Sequence, residues 1–593
     1  MYGSESTNYG FWKSNVGEGI TFEYYYPTPT VIEKPYLTIA VLLKPFDAIP
    51  SSPIKELLSY RSSNSTERSN ELANLWIRTC NETHTYCKRS LAPLETRVLP
   101  ARLLEIGSRS GPELKPRLIL TNSLPRDTKY MTLSHCWGDY QPLTLTSSNS
   151  EGFLDSIPWE SVPKTFQDTM LIASQIGVKY VWIDSLCIIQ DSDEDWQEQA
   201  AIMGDIYQNS HCNIAAAVAK DARDGCFVKR PQTAFRSCKI KARWRGRSSQ
   251  VYFCCSFKGS DETWDGPLHK RAWVLQEMVL APRALHFAKQ IWWKCLELEA
   301  SETFPYGVPD NKGISNRSGL DVYSVRQNIL RAGSEKFQRF ELWEKLAFRY
   351  SECALSRPKT DKLVAISSIA RKLVGNGDDY IAGLWKENLA EQLTWHIDLD
   401  QPEMMPPNTG FPSWSWAAVN RRTWIEVPHE YDEGQITITV RILEMHATLQ
   451  GADPFGNIEP GAFLRLEGPL VKTTIRPYDN GYHHSFEWLL GNSVADVYPD
   501  HGKYTEGQTV FCLLIRVGEI RRVDTGIVLE RDEAVPGRYR RSGFFRAYDG
   551  YKGDKWLQYF NLMRRDSLRS DEYEEALGVD PTLGLPFYRI SIV

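Results

Sequence analysis

"KYVWIDSLCIIQ", residues 179–190, opens on Lys179, runs through the β-prone residues Tyr180 to Ile183 and meets an acid at Asp184. A short apolar run bounded by polar residues reads as a buried strand. The stretch before it, VPKTFQDTMLIASQIG (162–177), puts Phe166, Met170 and Ala173 on one face, with Pro163 near the start and Gly177 as a stop. That pattern predicts a helix. The stretch after it, SDEDWQEQAAIMGDIYQ (192–208), has acids in its first turn and Trp196, Ala200, Met203 and Tyr207 at four-three-four spacing. It predicts a second amphipathic helix.

Two further strands flank this unit: KYMTLS (129–134), broken by CWG, and CNIAAAVA (212–219). Strands alternating with helices predict an α/β, Rossmann-like parallel sheet flanked by helices. The strands near 130–134, 180–184 and 212–218 should be neighbours in it. Ligands of such sheets bind beyond the carboxyl ends of the strands. SHCWG (Ser134 to Gly138) and Asp184 should therefore share one edge. Asp184 is either the cap of the next turn or part of a ligand site.

Composition bounds the rest. At 593 residues the chain exceeds one ordinary core, so several domains are expected. Apolar residues at 42% and charged residues at 24% fit a folded, water-exposed protein. Aromatics at 12% call for large cores or aromatic-lined sites. A net charge of −5 gives no electrostatic case for nucleic acid. The N-terminal stretch lacks a basic segment followed by an apolar run, and YLTIAVLL is too short to span a bilayer. The 12 cysteines are scattered, many in apolar runs. A reduced, cytoplasmic chain with no membrane span is the expectation.

Residues 220 to about 267 read as an irregular insertion. KRAWVLQEMVL (270–280) predicts a helix, RALHF and QIWWKC a hairpin, and residues 335–400 mostly helix. After PSWSWAAV the pattern turns to β, with ITITVRI alternating cleanly. The expected organisation is a lead-in at 1–99, an α/β domain at 100–300, a helical region at 301–420 and a β-rich C-terminal domain at 421–593.

HKRAWVLQE carries Arg271, Trp273, Gln276 and Glu277, with Trp273 and Glu277 one turn apart. Such a set is either a solvated ion-paired face or a carboxylate held between an aromatic ring and a cation. The second arrangement suits a developing positive charge. Cys80, His84 and Cys87 fall at i, i+4 and i+7 and are all zinc-ligand types. With only three of the set and no fourth in view, core packing without a metal is expected. Cys187 with His135 and Asp184 is a weaker, nucleophilic combination. There is no G-x-G-x-x-G after a strand, so no bound redox dinucleotide or other cofactor is expected, and no G-x-x-x-x-G-K-[ST] loop is present.

Taken in order, YMTLSHCWG, the long block 162–196, MGDIYQNSHCNIAA and RAWVLQEMVLAPRALHF resemble the blocks of the fungal heterokaryon-incompatibility (HET) domain. LWIRTCNETHTYC resembles the lead-in of such proteins; LSRPKTDKLVAISSIA, YIAGLW and PSWSWA resemble the region behind it. The resemblance implies non-self recognition, a form of innate immunity ending in programmed cell death. It also implies a Toll/interleukin-receptor (TIR)-like fold, some members of which hydrolyse NAD. By the W-x-x-x-E spacing of those domains, Glu277 is carried over as catalytic, and Asp184 is expected to line the same site. Ser134, His135, Trp137, Gly138, Arg271, Trp273 and Arg283 are the expected substrate-binding residues. Trp137 would stack a ring, while Arg271 or Arg283 would offset charge. NAD is thus the candidate substrate. A protein partner in incompatibility signalling and self-association are the candidate interactions. The alternative is a non-enzymatic module using the same edge for assembly.

Overall fold

A mixed sheet of eight described strands organises the N-terminal part of the chain. The computed structural model describes residues 67–89, 93–110, 113–230, 266–308, 336–374, 380–398, 410–426, 436–477, 494–502, 504–518, 523–548, 568–580 and 584–593. It also describes residues 64, 325 and 329 and short strands at 22–24, 37–39, 41–45, 238–242, 250–256 and 486–488. The chain divides into two compact units, Met1–Gln327 and Asn328–Val593.

In the first unit, helix α1 (Glu67–Thr83) and the short α2 (Thr85–Arg89) precede strands β1 (Arg102–Glu105), β2 (Arg117–Leu120) and β3 (Tyr130–Ser134). Then come α3 (Lys164–Ile176), β4 (Tyr180–Trp182), the single turn α4 (Asp184–Cys187), α5 (Asp193–Asn209) and β5 (Cys212–Ala216). Helix α6 (Ala272–Leu280) leads into β6 (Arg283–Phe287), β7 (Ile291–Cys295) and β8 (Glu299–Ser301). The sheet order is β8-β7-β6-β5-β3-β4-β1-β2.

The four central strands are parallel, with registers Asn213↔Ala284, Met131↔Cys212 and Thr132↔Trp182. The expected neighbours 130–134, 180–184 and 212–218 are therefore adjacent. Both edges differ from an all-parallel sheet. Strands β7 and β8 return antiparallel on one side, β1 and β2 on the other. The predicted hairpin accounts for one edge: the few residues between Phe287 and Ile291 are too short for a crossover, so β7 must run back.

Local residues close and open the helices. Gly177 closes α3 in the left-handed conformation, at φ +82°. Ser192 caps α5 by accepting the Asp195 N–H. Every residue of β3 and β5 is buried, as expected of strands covered on both faces. The stretch 220–267, expected as an irregular insertion, contains strands 238–242 and 250–256, which pair antiparallel and join strand 41–45 in a separate sheet.

The chain runs from β3 to β4 on one side, then passes back through α5 to β5 on the other side of β3. Connections thus leave β3 and β5 in opposite directions, which opens a crevice beyond their carboxyl ends. Ser134 ends β3 at that switch point.

The second unit combines helices α7 (Lys336–Ser351) and α8 (Val364–Leu373) with a large, mostly antiparallel sheet. Its centre is β9 (Phe463–Pro477), β10 (Thr509–Gly518), β11 (Val523–Arg531) and β12 (Arg538–Tyr548), each paired with the next. Much of the tryptophan surplus is buried here, at Trp343, Trp395, Trp414 and Trp416. PSWSWA lies within this core: Ser413 accepts the Arg541 N–H (2.9 Å) and Ser415 donates to the Ala382 carbonyl (2.6 Å). Arg541, itself buried, pairs with Asp500 at 3.0 Å and lies 3.4 Å from the Trp395 ring centroid.

Candidate functional site

The site is assembled at the switch point from the loop after β3, the turn after β4, helix α5 and helix α6. Strand β4 stops at Trp182, short of the acid, and Asp184 begins a helical turn. Its Oδ1 accepts the neighbouring Ser185 N–H at 2.8 Å; the N-cap position is Ile183, so Asp184 lies inside the turn and does not cap it. Its Oδ2 meanwhile accepts the Trp137 indole N–H at 3.0 Å, across 47 residues of sequence. One carboxylate therefore fixes both the turn after β4 and the loop after β3, and its side chain remains 22% exposed.

His135 lies beside it, with Nδ1 3.7 Å from Asp184 Oδ1, between the Trp137 ring (6.4 Å) and the edge of Phe166 (5.0 Å). Burial pulls its pKa down to about 4, against the opposing pull of Asp184, so the imidazole is neutral at physiological pH. The His135 carbonyl accepts a hydrogen bond from the Arg271 guanidinium. Gly138 turns the loop at φ +61°, where a Cβ would sit 2.7 Å from both the Asp221 Cβ and the Lys220 carbonyl. The loops after β3 and β5 thus touch there, and only glycine permits it.

Beneath this rim lies Glu277, 4% exposed. It sits one turn beyond Trp273 on α6, a helix that is apolar almost throughout and so buries what few polar groups it carries. Burial raises its pKa to about 7; Arg271 and the Ser134 and Tyr207 hydroxyls oppose the rise and the Asp184 charge adds to it. Ser134 accepts the Asn213 amide N–H (2.9 Å), and Asn213 in turn accepts the Thr132 hydroxyl (3.0 Å). That leaves the Ser134 O–H to donate to Glu277. The Tyr207 hydroxyl also reaches the Leu133 carbonyl, at 3.1 Å. Glu277 Oε2, His135 Nε2, Ser185 Oγ and both amide atoms of Gln276 are buried without a hydrogen-bond partner. Orphan polar atoms are uncommon in folded interiors, and here several lie in the segments that build this edge of the sheet.

The structure therefore brings together Ser134, His135, Trp137, Asp184, Arg271 and Glu277, with Gly138 at the turn. Trp273 packs edge-on against Trp196 of α5, at 6.3 Å, and helps seat α6. Arg283 is not in this group. It opens β6, beside the N-terminal ends of the parallel strands, and donates to Cys80 Sγ (3.2 Å) and the His211 carbonyl (3.1 Å). Cys187 is fully buried and burial pushes its thiol up to about 12, the wrong direction for a nucleophile. The Cys187-His135-Asp184 combination is thereby set aside.

Residues 130–277 match the family model described as heterokaryon incompatibility protein (HET). The chain carries a HET domain. The match begins at the first residue of β3 and ends on Glu277, so it spans the whole group of site residues. No curated protein and no solved structure matches the chain. Among the described residues no helix is long and apolar enough to cross a membrane.

Two members of the site were not singled out from sequence. Tyr207 read as one more residue on the apolar face of α5, although a buried tyrosine needs a partner for its hydroxyl. Asn213 carried a clearer signal: it is an amide inside an otherwise apolar core strand. A third omission lies elsewhere. Cys295, at the end of β7, joins Cys80, His84 and Cys87, and one ligand atom from each of the four lies within 4.8 Å of the others. The expectation of three ligands without a fourth is corrected by a residue more than two hundred positions away.

Proposed function

We propose that the HET domain serves heterokaryon incompatibility by hydrolysing the nicotinamide–ribose bond of NAD, and that this reaction drives programmed cell death. The observation that carries the reading is the buried Glu277, with a partnerless oxygen, set below a partly exposed rim of Asp184, Trp137 and Gly138. Cleavage of that bond builds positive charge on the ribose, which a carboxylate held in a dry site stabilises or traps. Trp137 would face the base, and Arg271 would offset negative charge on the substrate. Nicotinamide leaves as a neutral pyridine and needs no proton, so the reactive form of Glu277 is the carboxylate. Activity should therefore rise with pH through about 7. The test is purified full-length protein incubated with NAD, with released nicotinamide measured beside a Glu277→Gln variant.

One observation favours a second reading. The polar groups of the rim are spent on each other: Trp137 on Asp184, Arg271 on the His135 carbonyl. A non-enzymatic module needs such interlocking to hold one docking shape for a protein partner or a second copy. In that case Glu277→Gln would trigger cell death as well as the parent chain does.

A further inference from the structure

We propose that Cys80, His84, Cys87 and Cys295 bind a structural zinc ion that ties the segments flanking the HET match to each other. The four residues come from four places. Cys80 lies in the last turn of α1, His84 at the break before α2, Cys87 within α2, and Cys295 at the end of β7. His84 Nδ1 stands 3.7 Å from Cys87 Sγ and 3.3 Å from Cys295 Sγ. A tetrahedral zinc with Zn–S of about 2.3 Å and Zn–N of about 2.0 Å needs ligand atoms separated by roughly 3.5–3.8 Å. The observed spacing needs only small side-chain adjustments to meet that geometry. All three cysteines are buried and none is in a disulfide, so no disulfide competes for the sulfurs.

The surroundings suit a metal better than a packed group of thiols. Three thiolates and a neutral imidazole around Zn²⁺ leave one net negative charge. Arg283, buried beside them, donates its Nε–H to Cys80 Sγ at 3.2 Å and supplies the compensating positive charge. A guanidinium aimed at a sulfur is the outer-shell partner expected of a metal-bound thiolate. The helical segment is also held in place independently of the metal. Glu297, just beyond β7, accepts the Tyr86 and Cys87 N–H groups at 2.5 and 3.1 Å, and Trp76 of α1 stacks on Trp293 of β7 at 6.3 Å.

Four protein ligands leave no open position, which marks the site as structural rather than catalytic. Cys80, His84 and Cys87 precede residue 130 and Cys295 follows residue 277, so the site lies outside the HET match on both sides. The ion would clamp the lead-in helices to the β6–β7 hairpin. Arg283 thereby gains a role as a positioning residue for a thiolate. Loading the site releases three thiol protons, so affinity should fall as pH drops.

Elemental analysis of full-length protein purified without chelator should find about one zinc per chain. Cys80→Ser and Cys295→Ser should each lose it, while Cys353→Ser, a buried cysteine of the second unit, should keep it. Should either site variant fail to fold, metal-stripped wild-type protein titrated with Co²⁺ decides. Tetrahedral ligand-field bands with a thiolate-to-cobalt charge-transfer band, saturating at about one equivalent and reversed by zinc, support the site. Folded wild-type protein that carries no zinc and gives no charge-transfer band overturns it. So does a Cys295→Ser variant that retains the full zinc content.

Discussion

Replacing Glu277 by glutamine should stabilise the HET domain, and by an amount that depends on pH. The ordinary glutamate pKa of 4.5 is raised to about 7 in the folded chain, chiefly by burial. A difference of about 2.5, at 1.36 kcal/mol per pH unit, is a penalty of about 3 kcal/mol for holding the ionised side chain in the fold. The sign follows from proton counting. Below pH 4 the carboxyl is protonated whether folded or unfolded, and there is no penalty. Between about 4.5 and 7 the unfolded chain ionises while the folded one does not, so the folded state loses stability as pH rises. Above 7 the loss is complete.

Glutamine never ionises, so Glu277→Gln should escape it. The second amide proton adds a hydrogen-bonding offset, but that offset is the same at every pH. Hydrogen-exchange mass spectrometry on peptides covering 130–138 and 271–287 reads the effect locally. Comparing the two proteins at the same pH cancels the intrinsic exchange rate. Near pH 4.5 their protection should differ little; by pH 8 the variant should exchange about a hundredfold more slowly. A stability difference that stays flat between pH 4.5 and 8 would refute a buried, strained carboxylate at this position.

Three other outcomes follow from the geometry. Gly138→Ala forces a left-handed alanine against Asp221 and the Lys220 carbonyl, and should cost about 1–3 kcal/mol in urea unfolding of the first unit. Asp184→Asn keeps the shape but weakens the bonds to the Trp137 and Ser185 N–H groups, costing about 1–2 kcal/mol and raising exchange in 134–138 before it affects α5. Arg541→Met strands the buried Asp500 without its cation and should cost about 3–5 kcal/mol in the second unit, much of it recovered in the Asp500→Asn double variant. Unfolding followed by limited proteolysis of the 336–593 segment reads this last change.

Much of the central sheet was legible because its strands and helices obey local rules. The Gly177 stop and the acidic first turn of α5 each act within a few residues, and apolar strands such as CNIAA have one way to be buried. Sheet edges obey a different logic. Whether β1, β2, β7 and β8 run with or against the centre depends on connection length and on which edge is free, and neither is written in the strand itself. The site shows the same divide. Asp184 and Trp137 could be named because a strand end and a tight turn each carry a positional meaning, whereas Glu277 was carried over from the family resemblance by its spacing from Trp273. Arg283 was placed with them as a cation that would offset charge, yet the end of β6 on which it lies is fixed by strand direction. Cys295 was out of reach for a sharper reason: a ligand set split across more than two hundred residues leaves no spacing to read.

The central claim is that Glu277, in its ionised form, acts on the nicotinamide–ribose bond. The most direct measurement is the pH profile of nicotinamide release from NAD by the purified full-length chain and by Glu277→Gln. Release by the parent protein that climbs through an apparent pKa near 7, with the variant at background across the range, is the predicted result. No release by a parent protein that still triggers cell death, or equal release by the variant, would contradict it.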